Sequence, residues 1–300
     1  MQMDQKLKRR GFLGAGLTTA LAMNWGWRSA AACECAGCCG MGDKKVGLNL
    51  YTIRRSLSSA DEVARSLEKV KKIGYDNIEI ASMDAIETKK LAEIIKQNEL
   101  NAVSAHTSFE VVTTEPRKVI ERSQELGCGN VVVSYMTEKY RNFDGYKLFA
   151  EKLSEVGEQF AAAGMKLGYH NHSFEFQKYN GVFGMDILCN YSVPQYLSFE
   201  IDTYWVQHGG GDPAAWIRKY AGRIPIVHFK DFLMVEGKGT QFGTQMYAEV
   251  GEGNLNWPEI LDACKQAGVQ YYVVEQDESQ RDPFESIAIS LKNLKSWGVI

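Results

Sequence analysis

Leu167-Gly168-Tyr169-His170-Asn171-His172-Ser173-Phe174-Glu175-Phe176 begins as an apolar strand and ends in two histidines, an amide and a carboxylate. Side chains alternate along a strand, so His170 and His172 are expected on the same side. Three later stretches share this character: Phe199-Glu200-Ile201-Asp202, Ile226-Val227-His228-Phe229-Lys230 and Val273-Val274-Glu275-Gln276-Asp277. Each is a hydrophobic strand carrying a metal-ligand residue type near its C-terminal end. In a closed parallel barrel those ends converge on one mouth, where active sites of such barrels sit.

Outward from that stretch, the chain alternates strand and helix from Lys45 on. The expected strands are Val46–Tyr51, Asn77–Ala81, Asn101–His106, Asn130–Tyr135, Lys166–His172, Leu197–Tyr204, Pro225–Lys230 and Gln270–Glu275. They lack clean polar alternation, as strands covered on both faces do. Helical periodicity runs through Ala60–Lys72, Glu87–Gln97 and Tyr146–Ala163. Asp212-Pro213, Asn256-Trp257-Pro258 and Asp282-Pro283 mark helix starts, and Gly74, Gly127, Gly164 and Gly268 mark helix ends. Eight such repeats read as a (β/α)8 barrel spanning 45–300. An open doubly wound sheet is the alternative, disfavoured for dinucleotides because no GxGxxG follows the first strand. The connections 173–194 and 231–256 are long enough to be lids at the mouth.

The first 32 residues stand apart from this pattern. Lys8-Arg9-Arg10-Gly11-Phe12-Leu13-Gly14, an apolar run to about Trp27 and Ser29-Ala30-Ala31-Ala32 read as a twin-arginine export signal with its cleavage site. The run is short of the roughly 20 residues that span a bilayer, so no membrane span is expected. Residues 33–44 form a Cys-rich linker holding four of the seven cysteines. Ala30-Ala31-Ala32-Cys33 also reads as a degenerate lipoprotein box with a lipid anchor at Cys33, although Ala30 stands where leucine is usual. An exported, periplasmic protein is expected, tethered if Cys33 is lipidated. Cys128, Cys189 and Cys264 are scattered and define no disulfide framework.

The composition, 45% hydrophobic and 24% charged, is that of an ordinary globular chain. Without residues 1–32 it has 29 basic and 36 acidic residues, a net charge near −7. An acidic domain with no basic run argues against a nucleic-acid partner. Homo-oligomerisation is left open.

The polar residues at the strand ends are His106, His170, His172, Glu175, Asp202, His228, Lys230, Glu275 and Asp277. Singly, each has a structural reading: a hydrogen-bonded core histidine, or an aspartate capping the next helix. Together, buried charges from four strands call for a neutralising cation. Mixed imidazole and carboxylate donors suit Mn, Co, Zn or Fe better than Mg or Ca.

Leu48-Asn49-Leu50-Tyr51-Thr52-Ile53-Arg54, Tyr169-His170-Asn171-His172, Glu200-Ile201-Asp202-Thr203-Tyr204-Trp205, His228-Phe229-Lys230-Asp231, Val250-Gly251-Glu252-Gly253-Asn254 and Val274-Glu275-Gln276-Asp277 together resemble the sugar phosphate isomerase/epimerase family, a branch of the xylose isomerase-like TIM barrels. The resemblance covers roughly 45–300. It implies one divalent metal held by Glu, Asp, His and Glu from strands five to eight. Asp202, His228 and Glu275 fit the last three positions. At strand five the chain reads His170-Asn171 where relatives have Glu-Asn, so either His170 is the ligand or Glu175 reaches back.

Such a site implies proton abstraction beside a carbonyl through a metal-stabilised enediolate, as in a sugar isomerase or epimerase. Glu275 or Glu175 would take the proton and Lys230 would stabilise charge on oxygen. His106, His172, Trp205 and Asp277 would bind the sugar, with Phe174 as an apolar wall and Tyr204 in the core. Two other readings stand: a lyase or hydrolase acting on a 3-keto glycoside, and a non-catalytic sugar-binding protein. Endonuclease IV, which shares the barrel, needs three metals and a cationic surface that this chain lacks.

Overall fold

The computed structural model describes residues 45–81, 86–237 and 243–300. The expected export signal, the Cys-rich linker and the Cys33 anchor all lie outside the described residues. Eight parallel strands close into a barrel in chain order: β1 (Val46–Asn49), β2 (Asn77–Ile80), β3 (Asn101–Thr107), β4 (Asn130–Val133), β5 (Lys166–His170), β6 (Ser198–Asp202), β7 (Ile226–Phe229) and β8 (Tyr271–Val274). The seam is β8 against β1, with Val46 opposite Tyr272 and Leu48 opposite Val274. The expected (β/α)8 fold is the one the chain forms.

Local chemistry explains where elements start and stop. Ser59 accepts the Glu62 N–H, and the helix Ala60–Ile73 then buries Val63, Leu67 and Val70 as one stripe. Gly74 ends it at φ +114°, a conformation that favours glycine. Asp212 and Asp282 cap the following helices through Ala214 and Phe284 N–H, whereas Asn256 makes no such bond. Several strands are shorter than periodicity suggested. β1 stops at Asn49 because its side chain accepts the Tyr51 N–H and opens the helical turn Leu50–Ser56. β6 stops at Asp202, whose Oδ1 caps the helix Thr203–His208 through Trp205 N–H at 2.9 Å. Among the described residues no helix is long and apolar enough to cross a membrane.

The described residues of both long connections are structured. Residues 173–194 hold a turn at Phe174–Phe176, a small hairpin and the helix Gly184–Tyr191. After β7, Asp231–Val235 pairs antiparallel with Thr244–Ala248. A single buried carboxylate ties this hairpin to the loop behind it. Asp231 Oδ1 accepts from Phe232 N (2.8 Å) and Leu255 N (3.2 Å). Its Oδ2 accepts from Gly251 N (3.0 Å), Gly253 N (3.2 Å) and Trp257 Nε1 (2.6 Å). The approach is too close for any side chain at Gly253, where a Cβ would lie 2.4 Å from Asp231 Oδ1.

Candidate metal and substrate site

The barrel interior carries a polar layer that begins on β2. Glu79 lies between Ile78 and Ile80 and is fully buried. The β2–β3 register slips by one residue at Ile78/Glu79, placing Ser104 opposite Glu79. Such a slip re-aims one side chain without breaking the sheet. Asn49 Nδ2 donates to Glu79 Oε1 at 2.7 Å, and Ser104 Oγ donates to Oε2. Glu200 and Asp202 alternate on β6, so both face inward.

Around these carboxylates stand three imidazoles. His228 Nε2 lies 2.7 Å from Glu79 Oε1 and 2.9 Å from Glu200 Oε1, while its Nδ1 lies 3.0 Å from Glu275 Oε2. His170 Nδ1 is 3.1 Å from Glu200 Oε1, and its Nε2 faces Asp202 Oδ2 at 3.9 Å. His106 Nε2 is 3.0 Å from both Glu79 and Glu200. Lys230 Nζ closes the layer at 2.7 Å from Glu275, 3.0 Å from Asp202 and 3.0 Å from Asp277.

Burial works against every charge here, and the partners decide the outcome. Burial pushes His170 well below its ordinary value, leaving a neutral ring. Burial opposes the charge on Glu275 too, but Lys230 and His228 hold its carboxyl well below the usual range. Lys230 is held well above its own, because Asp202, Glu275 and Asp277 outweigh its burial. Against burial, Glu79 and Glu200 lift His106 to about 10.

His170, Asp202, His228 and Glu275 bring one ligand atom each within 4.8 Å of one another. The donor chemistry fits a divalent transition metal. Each imidazole has its other nitrogen against Glu200 or Glu79, the arrangement that orients a metal-ligating histidine. Asp202 Oδ2 is buried with no hydrogen-bond partner, its contact with Lys230 being an ion pair without hydrogen-bond geometry. His106, His170, Glu200 and His228 also approach one another closely, but they share two imidazoles with the first group. We read Glu200 as the carboxylate that orients those rings.

A cavity of about 460 Å³ opens above the cluster. His106, His170, His172, Trp205, Lys230, Glu275 and Asp277 line it, as do Tyr51, Arg54, Tyr135, Tyr247 and Glu278. β5 ends at His170, so His172 arrives from the loop instead of the strand; its ring still lies 5.1 Å from that of His170. Glu175 is not in this group. The turn Phe174–Phe176 folds its carboxylate under β5, where it accepts from Tyr169 Oη and from His172 N at 2.9 Å. At strand five the imidazole of His170, not Glu175, therefore faces the other donors. Tyr204 is buried against Phe232 and Tyr247.

Sequence reasoning missed Glu79 as a site residue, and it named Glu200 only within a strand. A lone glutamate between two isoleucines was the available signal. It also missed Tyr51, Arg54, Tyr135 and Tyr247 as lining residues.

The position of Glu175 has a consequence for stability. Burial lifts its carboxyl from the ordinary 4.5 to about 7, against the hydrogen bonds it accepts. Between those values the folded chain keeps a proton that the unfolded chain has released. The contribution is therefore complete below pH 4.5 and is lost as pH rises toward 7, by ~3 kcal/mol. The thermal midpoint of Glu175→Gln should vary less than wild type over this window. An unchanged pH slope would assign the effect to another group.

Among similar curated proteins is an inosose dehydratase of Lacticaseibacillus casei, 21% identical over 257 residues that span 74% of this chain and 85% of the relative. Another, from Clostridium beijerinckii, is 24% identical over 263 residues, spanning 74% and 85%. The crystal structure of a sugar phosphate isomerase/epimerase from Parabacteroides distasonis superposes with a TM-score of 0.74 at 24% identity, covering 87% of this chain and 97% of that one. A protein named IOLI, whose structure holds a zinc atom, gives 0.63 at 18% identity, covering 84% and 97%. The family model of the xylose isomerase-like TIM barrel matches residues 67–297, and the chain belongs to that family.

Proposed function

We propose that the protein is a divalent-metal-dependent enzyme that removes a proton beside the carbonyl of a keto-sugar. The observation that carries this reading is the ionised Glu275 carboxylate held 2.7 Å from the Lys230 ammonium on the cavity floor. His170, Asp202, His228 and Glu275 would hold the metal. When bound, it would polarise the ketone oxygen and offset the negative charge that develops there. Zinc in the IOLI structure is in keeping with such a metal, and Mn, Co and Fe suit the same donors.

Glu275 takes the C–H proton. Lys230, kept protonated by three carboxylates, stabilises the oxyanion electrostatically. Among the described lining residues, carboxylates come only from the Glu275–Glu278 segment, while His106, His170 and His172 supply imidazoles. An epimerisation would need a second group to return the proton on the opposite face. Elimination needs one base, and it is the outcome in keeping with relatives named dehydratases. The C–H electron pair becomes a C=C bond and the bond to the β-oxygen breaks. The leaving oxygen recovers that proton from Glu275 and departs as water or an alcohol. We therefore favour a lyase over the isomerase or epimerase expected first.

Incubation with metal in D2O, with keto-hexoses and 3-keto glycosides, tests both steps. Deuterium beside the carbonyl reports proton removal, and loss of the β-substituent reports elimination. Glu275→Gln should slow exchange by about 10²–10⁴ while weakening sugar binding far less. A stereochemically inverted product with its substituent intact would restore the epimerase reading. Sugar binding without exchange or product would restore the binding-protein reading.

A further inference from the structure

The cavity extends well beyond the histidine–carboxylate cluster, and its outer part is aromatic. Tyr51, just after β1, is 36% exposed, and Tyr135, just after β4, is 46% exposed. Both line the cavity, from strands well apart around the mouth. Neither ring is serving as core. Each is nevertheless fixed in place by an arginine. The Arg54 guanidinium lies 4.1 Å from the Tyr51 ring centre and is itself tied to Glu278 at 2.8 Å. Arg141 donates to Tyr135 Oη and to Met136 O, and lies over Phe174 at 3.6 Å. Tyr135 continues the wall edge-on against His172 and Phe174. Exposed aromatic rings held rigid beside a polar pocket bind flat apolar faces at little entropic cost.

The inner part has polar atoms in want of partners. Trp205 Nε1 and His172 Nδ1 are buried beside each other without a hydrogen bond, their rings 5.2 Å apart. They suit the hydroxyls of a sugar ring seated against the cluster. Among the described residues the lining cations are already engaged: Arg54 by Glu278, His106 by Glu79 and Glu200, and Lys230 by Asp202, Glu275 and Asp277. With Glu275, Asp277 and Glu278 also present, this lining disfavours a phosphate or carboxylate on the substrate. At about 460 Å³ the cavity falls in the size range of sites that take ligands larger than one ring.

We propose that Tyr51 and Tyr135 flank a subsite for a second ring, so that the substrate is an uncharged glycoside, a keto-sugar carrying a glycosyl or aryl substituent. This rests on the keto-sugar reading above. In that reading the substituent sits where the leaving alcohol departs, and the mouth of the cavity is its exit.

The test uses unreactive probes, so that it does not depend on turnover. Titration calorimetry with and without Zn²⁺ would compare methyl β-glucoside, cellobiose, p-nitrophenyl β-glucoside and glucose 6-phosphate. The two-ring probes should bind about tenfold tighter than methyl β-glucoside, and glucose 6-phosphate should bind no tighter than it does. In Tyr51→Ala and Tyr135→Ala the ratio of two-ring to one-ring affinity should collapse toward unity. Equal affinities in the wild type, or an unchanged ratio in both variants, would overturn the subsite while leaving the keto-sugar reading in place. Failure of every probe to bind would overturn the sugar reading and the subsite together.

Discussion

Asp202→Asn is expected to reduce zinc retention from about one ion per chain to almost none, with the barrel intact. The two oxygens of Asp202 have separable tasks. Oδ1 caps the next helix through Trp205 N–H, and an asparagine oxygen can do the same. Oδ2 faces His170 and Lys230 from a fully buried position and has no hydrogen-bond partner. An amide there removes the negative charge and turns a donor toward Lys230. His228→Ala should also lose the metal, at a greater cost to the fold. Glu79, Glu200 and Glu275 would then share the interior without their imidazole, and breaking a buried ionic group of this kind costs about 3–5 kcal/mol. Metal analysis after gel filtration, with circular dichroism as the control for folding, reads both effects. Full occupancy in the two variants would remove these residues from the coordination sphere.

Asp231→Ala should destabilise the chain by ~3–5 kcal/mol, lowering the thermal midpoint on the order of 10 °C. Five donors converge on this one carboxylate, four from the backbone and one from the Trp257 indole. Removing it leaves buried N–H groups with nothing to replace it. Asp231→Asn tests the argument more sharply. Oδ1 faces two donors and Oδ2 three, so either orientation of the amide sets an NH2 against N–H groups. The conservative substitution should therefore cost nearly as much as the truncation. If asparagine restored most of the stability, these contacts would not be the source of the effect.

The barrel was legible in this sequence because its evidence is local. Apolar runs recur at each repeat, with capping aspartates before prolines at two helix starts and glycines at four helix ends. The strand-end residues were legible for the same reason, since Asp202, His228 and Glu275 each close a hydrophobic run. Glu79 was not, because one glutamate on a strand carries no sign of the direction it faces. Two facts turn it inward, the closure of the ring and the register slip beside Ile78, and neither is encoded within a few residues of it. Glu175 failed for a related reason. Its nearness in sequence to His170 made it the alternative ligand at strand five, whereas the turn Phe174–Phe176 carries it against the Tyr169 hydroxyl. Tyr51 and Tyr135 read as ordinary strand residues until β1 and β4 proved to end before them.

Glu79 on β2 reaches His228 on β7, bridging the β8–β1 seam from within. During folding, a partly wound sheet can already pair His228 with Glu200 and Glu275 on neighbouring strands, but the contact of Glu79 with His228 contributes only once the ring shuts. Interactions absent from the transition state act on the rate of leaving the native state and not on the rate of reaching it. Whatever strengthens the Glu79–His228 contact would lengthen the lifetime of the closed barrel and leave its rate of formation unchanged. That one contact works as a latch across the seam.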